Sequence, residues 1–171
     1  MKIAKTCILL FAAMTLLTAL PCLAADETAF TGTEAACITC FCADCNPGTF
    51  KLLPNGGSQV RDMEGIYFYT ASDPSQGGYL RVVLNWNFDA SFSGPMWGSF
   101  YPCDESGNRI ADGFEGMWNG QLFSLFPYNW INKTVGHGTG IYKGKKLEST
   151  TAYGNSFTGT VVGVIKDVDK E

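Results

Sequence analysis

Four cysteines within nine residues, Cys37, Cys40, Cys42 and Cys45 in CITCFCADCNPG, are the densest reactive chemistry in the chain. Two C-x-x-C turns supply four thiolates, a set that holds zinc tetrahedrally at about 2.3 Å. Here only Phe41 divides the two turns, whereas zinc knuckles normally face each other from distant parts of a chain, so strain counts against one shared ion. In an oxidising compartment disulfides come first. Cys37 with Cys40 and Cys42 with Cys45, or longer crosses to Cys103, satisfy disulfide geometry better than the close neighbours Cys40 and Cys42. Zinc is the second reading and a redox-active pair the third. Once an N-terminal leader, residues 1–24, is removed, five cysteines remain, and the odd thiol is free or bonded to another chain or a second copy.

Acid–base candidates are sparse. The single histidine, His137 in GHGTG, alternates with glycines and so points to the opposite face of its strand. A general base needs a pocket within reach of its proton, so His137 anchors no triad and no metal site. GHGTG also lacks the strand-to-helix context of a phosphate loop. Asp112, Glu115 and Tyr142 are the remaining acid or base candidates, with Glu115 expected to face solvent. DESGNRIAD, residues 104–112, hints at calcium through its oxygen ligands but lacks the closing bidentate glutamate, and reads as a hairpin turn. Asn132-Lys133-Thr134 is an acceptor sequon for glycosylation.

The elements that must position these residues begin after the leader. MKIAKTCILLFAAMTLLTALPCLAADE has a basic start, an apolar run from Cys7 to Leu20, then Pro21 and small residues. This is the pattern of a secretory signal peptide cut after Ala24, with Ala25 as a second candidate. The run is shorter than the about 20 residues of a spanning helix, and no later stretch approaches that length. The expected address is periplasmic or secreted, with no transmembrane segment once the leader is gone. Removing residues 1–24 takes Lys2 and Lys5 and no acid, which leaves 10 basic against 16 acidic residues, a net charge of −6. Such a balance argues against nucleic acid and anionic lipid as partners.

The remainder of the chain is written in a glycine pattern. Phe92, Gly94, Met96, Gly98; Phe114, Gly116, Trp118, Gly120; Gly138, Gly140, Tyr142, Gly144; and Phe157, Gly159, Val161, Gly163 repeat one template, large, x, Gly, x, large, x, Gly, with one substitution. In a strand all four named positions share a face. Glycine weakens a strand, so its recurrence needs a compensating reason. A sharply curved sheet uses glycine kinks, and the interior of a small barrel alternates small with large side chains. YLRVVLNWNF alternates Leu80, Val82, Leu84, Trp86 and Phe88 with polar residues, MEGIYFYT reads as the strand before it, and ASDPSQGG, DESGN and TAYGNS are turns. The expected architecture is all-β: a small closed antiparallel β-barrel of about seven or eight strands over residues 58–166, preceded by a Cys-rich segment, 25–57, and followed by a charged tail, 167–171.

The order MWGSFYP, FEGMWNG, GHGTGIYKG and FTGTVVGVI resembles uncharacterised exported bacterial proteins with the allene oxide cyclase and dirigent type of β-barrel, over roughly residues 65–167. The resemblance implies a barrel around a cavity. Plant members of that group act on reactive hydrophobic molecules, but none of their catalytic positions maps onto this chain, and fold analogy alone does not carry activity.

Three functions stand as expectations. The first is a non-catalytic exported barrel that binds a small apolar molecule, with Phe114, Trp118, Tyr142 and Phe157 lining the interior, since eight strands leave room for one small ligand. The second is an envelope interaction or structural protein anchored through the cysteine segment to a disulfide-linked partner or to itself. The third is a cyclase- or isomerase-like enzyme using Glu115, Asp112 or Tyr142. No cofactor is expected apart from the zinc alternative.

Overall fold

The computed structural model of the chain describes residues 27–36, 44–73 and 77–168. The leader and three cysteines of the cluster, Cys37, Cys40 and Cys42, lie outside them. Among the described residues nine strands run β1 Glu27–Ala36, β2 Thr49–Leu52, β3 Ser58–Ala71, β4 Gly78–Phe88, β5 Gly94–Cys103, β6 Gly113–Ser124, β7 Asn129–Thr139, β8 Lys145–Gly154 and β9 Thr158–Asp167. A 3₁₀ turn, Gly140–Tyr142, lies between β7 and β8. Among the described residues no helix is long and apolar enough to cross a membrane.

All nine strands belong to one antiparallel sheet in the order β1-β9-β8-β7-β6-β5-β4-β3-β2, and β1 also pairs with β3. The expected closed barrel of seven or eight strands is corrected by this arrangement. The strands number nine, β2 carries the sheet beyond β3, and the array is an extended sheet. The segment 25–57, read as a cysteine-rich prelude, supplies two of its strands. β1 is the strand that local reading missed, and it is paired on both sides: Glu34 lies opposite Tyr69 of β3 and also opposite Gly159 of β9.

The template positions do share one face. Met96, Gly98, Phe114, Trp118, Gly138, Gly159 and Val161 are buried on the inner side, and Phe114, Trp118, Val161 and Met96 join Trp130, Tyr153 and Leu122 in the core. The glycines there allow strands to approach closely. A Cβ on Gly98 would overlap the carbonyl oxygen of Val83 and press on Nε1 of Trp118, and one on Gly116 would overlap the carbonyl oxygen of Val135. Five template positions lie outside the strands: Phe92 before β5, Gly140, Tyr142 and Gly144 between β7 and β8, and Phe157 before β9. Phe157 precedes β9 in a turn and is exposed, and Tyr142 belongs to the 3₁₀ turn, where its ring stacks on Phe114 at 5.5 Å.

β4 departs from simple alternation as well. Arg81 and Asn85, on the face opposite Val82 and Leu84, are buried too. The segment before β2 covers this face. Arg81 Nη2 donates to Oε2 of Glu64 at 2.6 Å and to the carbonyl of Asp44 at 3.1 Å, while the Asn46 amide donates to the same Glu64 oxygen at 2.9 Å. Burial pushes the Glu64 carboxyl up, but the Asn46 N–H and the Arg81 guanidinium together hold it below its ordinary value.

Candidate functional site

The site begins with one residue that breaks the inward rule. Along β1, Phe30, Gly32 and Glu34 share the inner face, because alternate side chains of a strand point the same way. Phe30 is buried in the core. Glu34 therefore carries a carboxyl into a face otherwise built of aromatic and aliphatic groups. Its neighbours come from the two strands that flank β1 and from β8 beyond β9.

Glycine makes the space. Gly159, directly opposite Glu34 in the β1–β9 register, has no side chain to fill the gap. A Cβ there would lie 2.7 Å from Cγ2 of Thr151 and 2.8 Å from Cε2 of Tyr153. Thr151 uses that room to donate from Oγ1 to Oε2 of Glu34 at 2.9 Å. The Tyr153 hydroxyl is buried near the same carboxyl without a well-formed hydrogen bond. Burial in this surround raises the Glu34 carboxyl above its ordinary value, and the hydrogen bond from Thr151 and the nearby Tyr153 hydroxyl only partly oppose the rise. Burial, reinforced by the nearby Glu34 charge, likewise holds the hydroxyls of Tyr69, Tyr128 and Tyr153 protonated.

Glu34 is enclosed by protein yet keeps accessible surface, because it borders a cavity of about 180 Å³. The walls include Tyr67, Tyr69, Phe100, Phe114, Trp118 and Trp130, with Asn132, Ser149 and Thr151 as polar groups. Asp112, exposed, stands with Ile110 and Gly78 at the mouth. Among the described residues the charged side chains that border the cavity are Glu34 and Asp112, and no lysine, arginine or histidine does. A second cavity of about 270 Å³, nearly all apolar, opens towards the other end of the sheet, and Tyr67 borders both.

Of the residues expected to line an interior, Phe114 and Trp118 border the first cavity, Tyr142 packs behind Phe114, and Phe157 lies outside, 4.9 Å from Tyr128. The expectation of an apolar ligand is corrected by the carboxyl and hydroxyls that meet this space. The cyclase or isomerase alternative is corrected as well, since its three residues do not converge. Glu115 lies on the outer side, ion-paired with Arg109 and 3.2 Å from Nε2 of His137; Asp112 accepts the amide of Ile141; and Tyr142 packs on Phe114. His137 is exposed, as alternation implies.

Anchoring through cysteine is overturned for Cys103, which is 2 % exposed and free, so it reaches no other chain. No disulfide joins two described cysteines, which corrects the expected crosses to Cys103. The thiol borders the cavity, and burial pushes it up to about 11. The zinc and short-range disulfide readings of Cys37, Cys40, Cys42 and Cys45 turn on the first three, which lie outside the described residues. Among the described residues no group of three or more His, Cys, Asp or Glu side chains is placed to hold a metal ion. The 104–112 stretch is a turn, in which Oδ1 of Asp104 accepts the amides of Ser106 and Asn108. Asn132 of the sequon is buried on the inner face.

Glu34 escaped the sequence reading, although a signal existed. FTGTEAA repeats the start of the template, Phe30-x-Gly32, with glutamate where the second large residue belongs. No family model matches the chain, and no curated protein or solved structure matches it. The resemblance to allene oxide cyclase and dirigent barrels is thereby overturned.

Proposed function

We propose that this domain is a non-catalytic binding protein for a small organic cation, an amine with a compact aliphatic or aromatic body, held in the cavity floored by Glu34. One observation carries the reading: among the described residues the bordering charges are both carboxylates, set among aromatic walls with no basic side chain. An anion entering this space meets like charge, whereas an ammonium group finds a carboxylate to pair with and ring faces to lie against. A cation over an aromatic face gains about 0.5–2 kcal/mol, more when desolvated, and a charge-assisted hydrogen bond adds to that. The cavity, about 180 Å³, lies below the roughly 300–1,000 Å³ of drug-sized sites, which suits a ligand of few heavy atoms.

Catalysis fits less well. Acid–base enzymes pair groups whose environments push their proton affinities apart so that one donates and the other accepts. Glu34 is instead surrounded by tyrosines held protonated. The leader-like start supports placing this binding protein outside the cytoplasm.

The test is calorimetric titration of the mature protein with n-butylammonium and phenethylammonium, against the neutral alcohols of the same skeleton. The amines should bind and the alcohols should not. Because an ammonium ion favours ionised Glu34, whose proton affinity is raised in the free protein, binding should release a proton and weaken as the pH is lowered. Glu34→Gln should remove at least about tenfold of the affinity, the scale of a lost charge-assisted bond. Equal binding of amine and alcohol, or no binding of either at millimolar concentration, would overturn the reading.

A further inference from the structure

The two ends of the sheet differ in chemistry. Because the strands are antiparallel and consecutive, the connections β2–β3, β4–β5, β6–β7 and β8–β9 gather at one end, and β3–β4, β5–β6 and β7–β8 at the other. The second group carries Asp73, Asp104, Glu105, Arg109, Asp112 and Lys143. The first group, LPNGG, DASFS, LFPY and NSF, contains a single charged residue, Asp89.

Asp89 is spent inside its own turn. Its Oδ1 accepts the amides of Ser91 at 2.8 Å and Ser93 at 3.0 Å, and its carbonyl accepts the amide of Phe92 at 3.0 Å. The result is Phe92 in the left-handed region at φ 57°, an unfavourable conformation for a bulky residue, with half its surface in water. The fold thus accepts local strain to project a phenyl ring outwards. Phe126 on the next connection is 81 % exposed, and Phe157 on the one after it is also exposed and packs against Tyr128. Leu52, 70 % exposed, ends β2 on the same side. Phe92 and Tyr128 border the second cavity together, and Ser93 Oγ donates to the carbonyl of Leu122, so the turns stand side by side.

We propose that this end of the molecule docks on the headgroup–acyl boundary of a lipid bilayer by inserting Phe92, Phe126 and Phe157. The tips sit on separate turns, and polar residues adjoin two of them in the chain, Ser91 and Ser93 at Phe92 and Asn155 and Ser156 at Phe157. A fluid boundary accepts isolated rings at one depth and solvates the intervening polar groups, whereas a rigid protein partner needs a contiguous complementary surface. The lack of free charge in the connections at this end suits insertion, and the opposite, charged end then faces water. The inference is independent of the ligand in the first cavity.

Flotation of the mature protein with phosphatidylcholine vesicles at physiological salt tests it. The wild type should float with the vesicles. The Phe92→Ser/Phe126→Ser pair should lower partitioning about a hundredfold, at about tenfold for each partly inserted ring, while Ile141→Ser, which removes an equally exposed apolar group from the opposite end, should leave it unchanged. Circular dichroism verifies that each variant is folded. Failure of the wild type to float, or an Ile141→Ser loss matching that of the pair, overturns the proposal. So does sedimentation velocity that shows a wild-type dimer broken by the paired substitution, because the rings would then belong to an interface between copies.

Discussion

Thr151 donates a 2.9 Å hydrogen bond to Oε2 of Glu34 across 117 positions of sequence. It ties the first strand to the eighth while leaving the rest of the carboxyl facing the cavity. The bond orients the acid without neutralising it, and burial does the rest.

Replacing Glu34 with Gln should raise thermal stability near neutral pH. A carboxyl whose proton affinity is raised on folding makes the native state bind more protons than the unfolded chain, so wild-type stability falls as the pH climbs above the unfolded value near 4.5. Glutamine keeps an oxygen for Thr151 and carries no charge to bury. Melting curves at pH 4 and pH 7 should show the variant's advantage at pH 7 and its disappearance at pH 4. An advantage independent of pH would mean that Glu34 is not the group responsible.

Gly98→Ala should destabilise the domain by about 3 kcal/mol, at the upper end of overpacking effects, because the added carbon overlaps the Val83 carbonyl. Gly154, with open space around its Cα, is the control. Its alanine variant should be neutral or more stable by about 0.5 kcal/mol, through the unfolded chain. Urea unfolding of both variants measures the contrast.

Arg81→Met should cost about 1–3 kcal/mol. The guanidinium is covered but lies close to the surface, so its pairing with Glu64 is partly screened; Asp44, well exposed, adds little. Glu64 is held below its ordinary value in the folded protein, so its share of stability is present above pH 4.5 and is lost as the pH falls through the lowered folded value. The gap between wild type and variant in denaturant midpoint should therefore narrow in acid.

Cys103 should resist alkylation in the native protein at pH 8. Its thiol is buried and pushed up to about 11, which leaves little thiolate to react. Iodoacetamide treatment followed by peptide mass mapping should find Cys103 unmodified until urea is added. Native labelling would show that the cavity mouth admits reagents readily.

Most of the inner face was legible in the spacing of residues. Strand alternation is a local property, so Met96, Gly98, Phe114, Trp118, Gly159 and Val161 could be assigned to one side from their positions alone, and the strands from β3 to β9 could be read from their turns. The same reasoning failed where the backbone left the strand, at Tyr142 in a 3₁₀ turn and at Phe157 before β9. It also failed at Arg81, whose polar face is covered by a segment arriving from 37 positions earlier in the chain.

The sequence by itself determined an all-β chain with glycine-relieved strands and one face of aromatic and aliphatic groups, because periodicity, turn chemistry and the absence of a Cβ act within a few residues. Only the tertiary structure decided that nine strands form the sheet, that β1 joins it between β9 and β3, and that Glu34 thereby becomes the carboxyl of a cavity. Which strand lies beside which is set by burial summed over the whole sheet. A glutamate four residues past Phe30 looks like any solvent-facing acid until the distant strands that carry Tyr69 and Gly159 close over it.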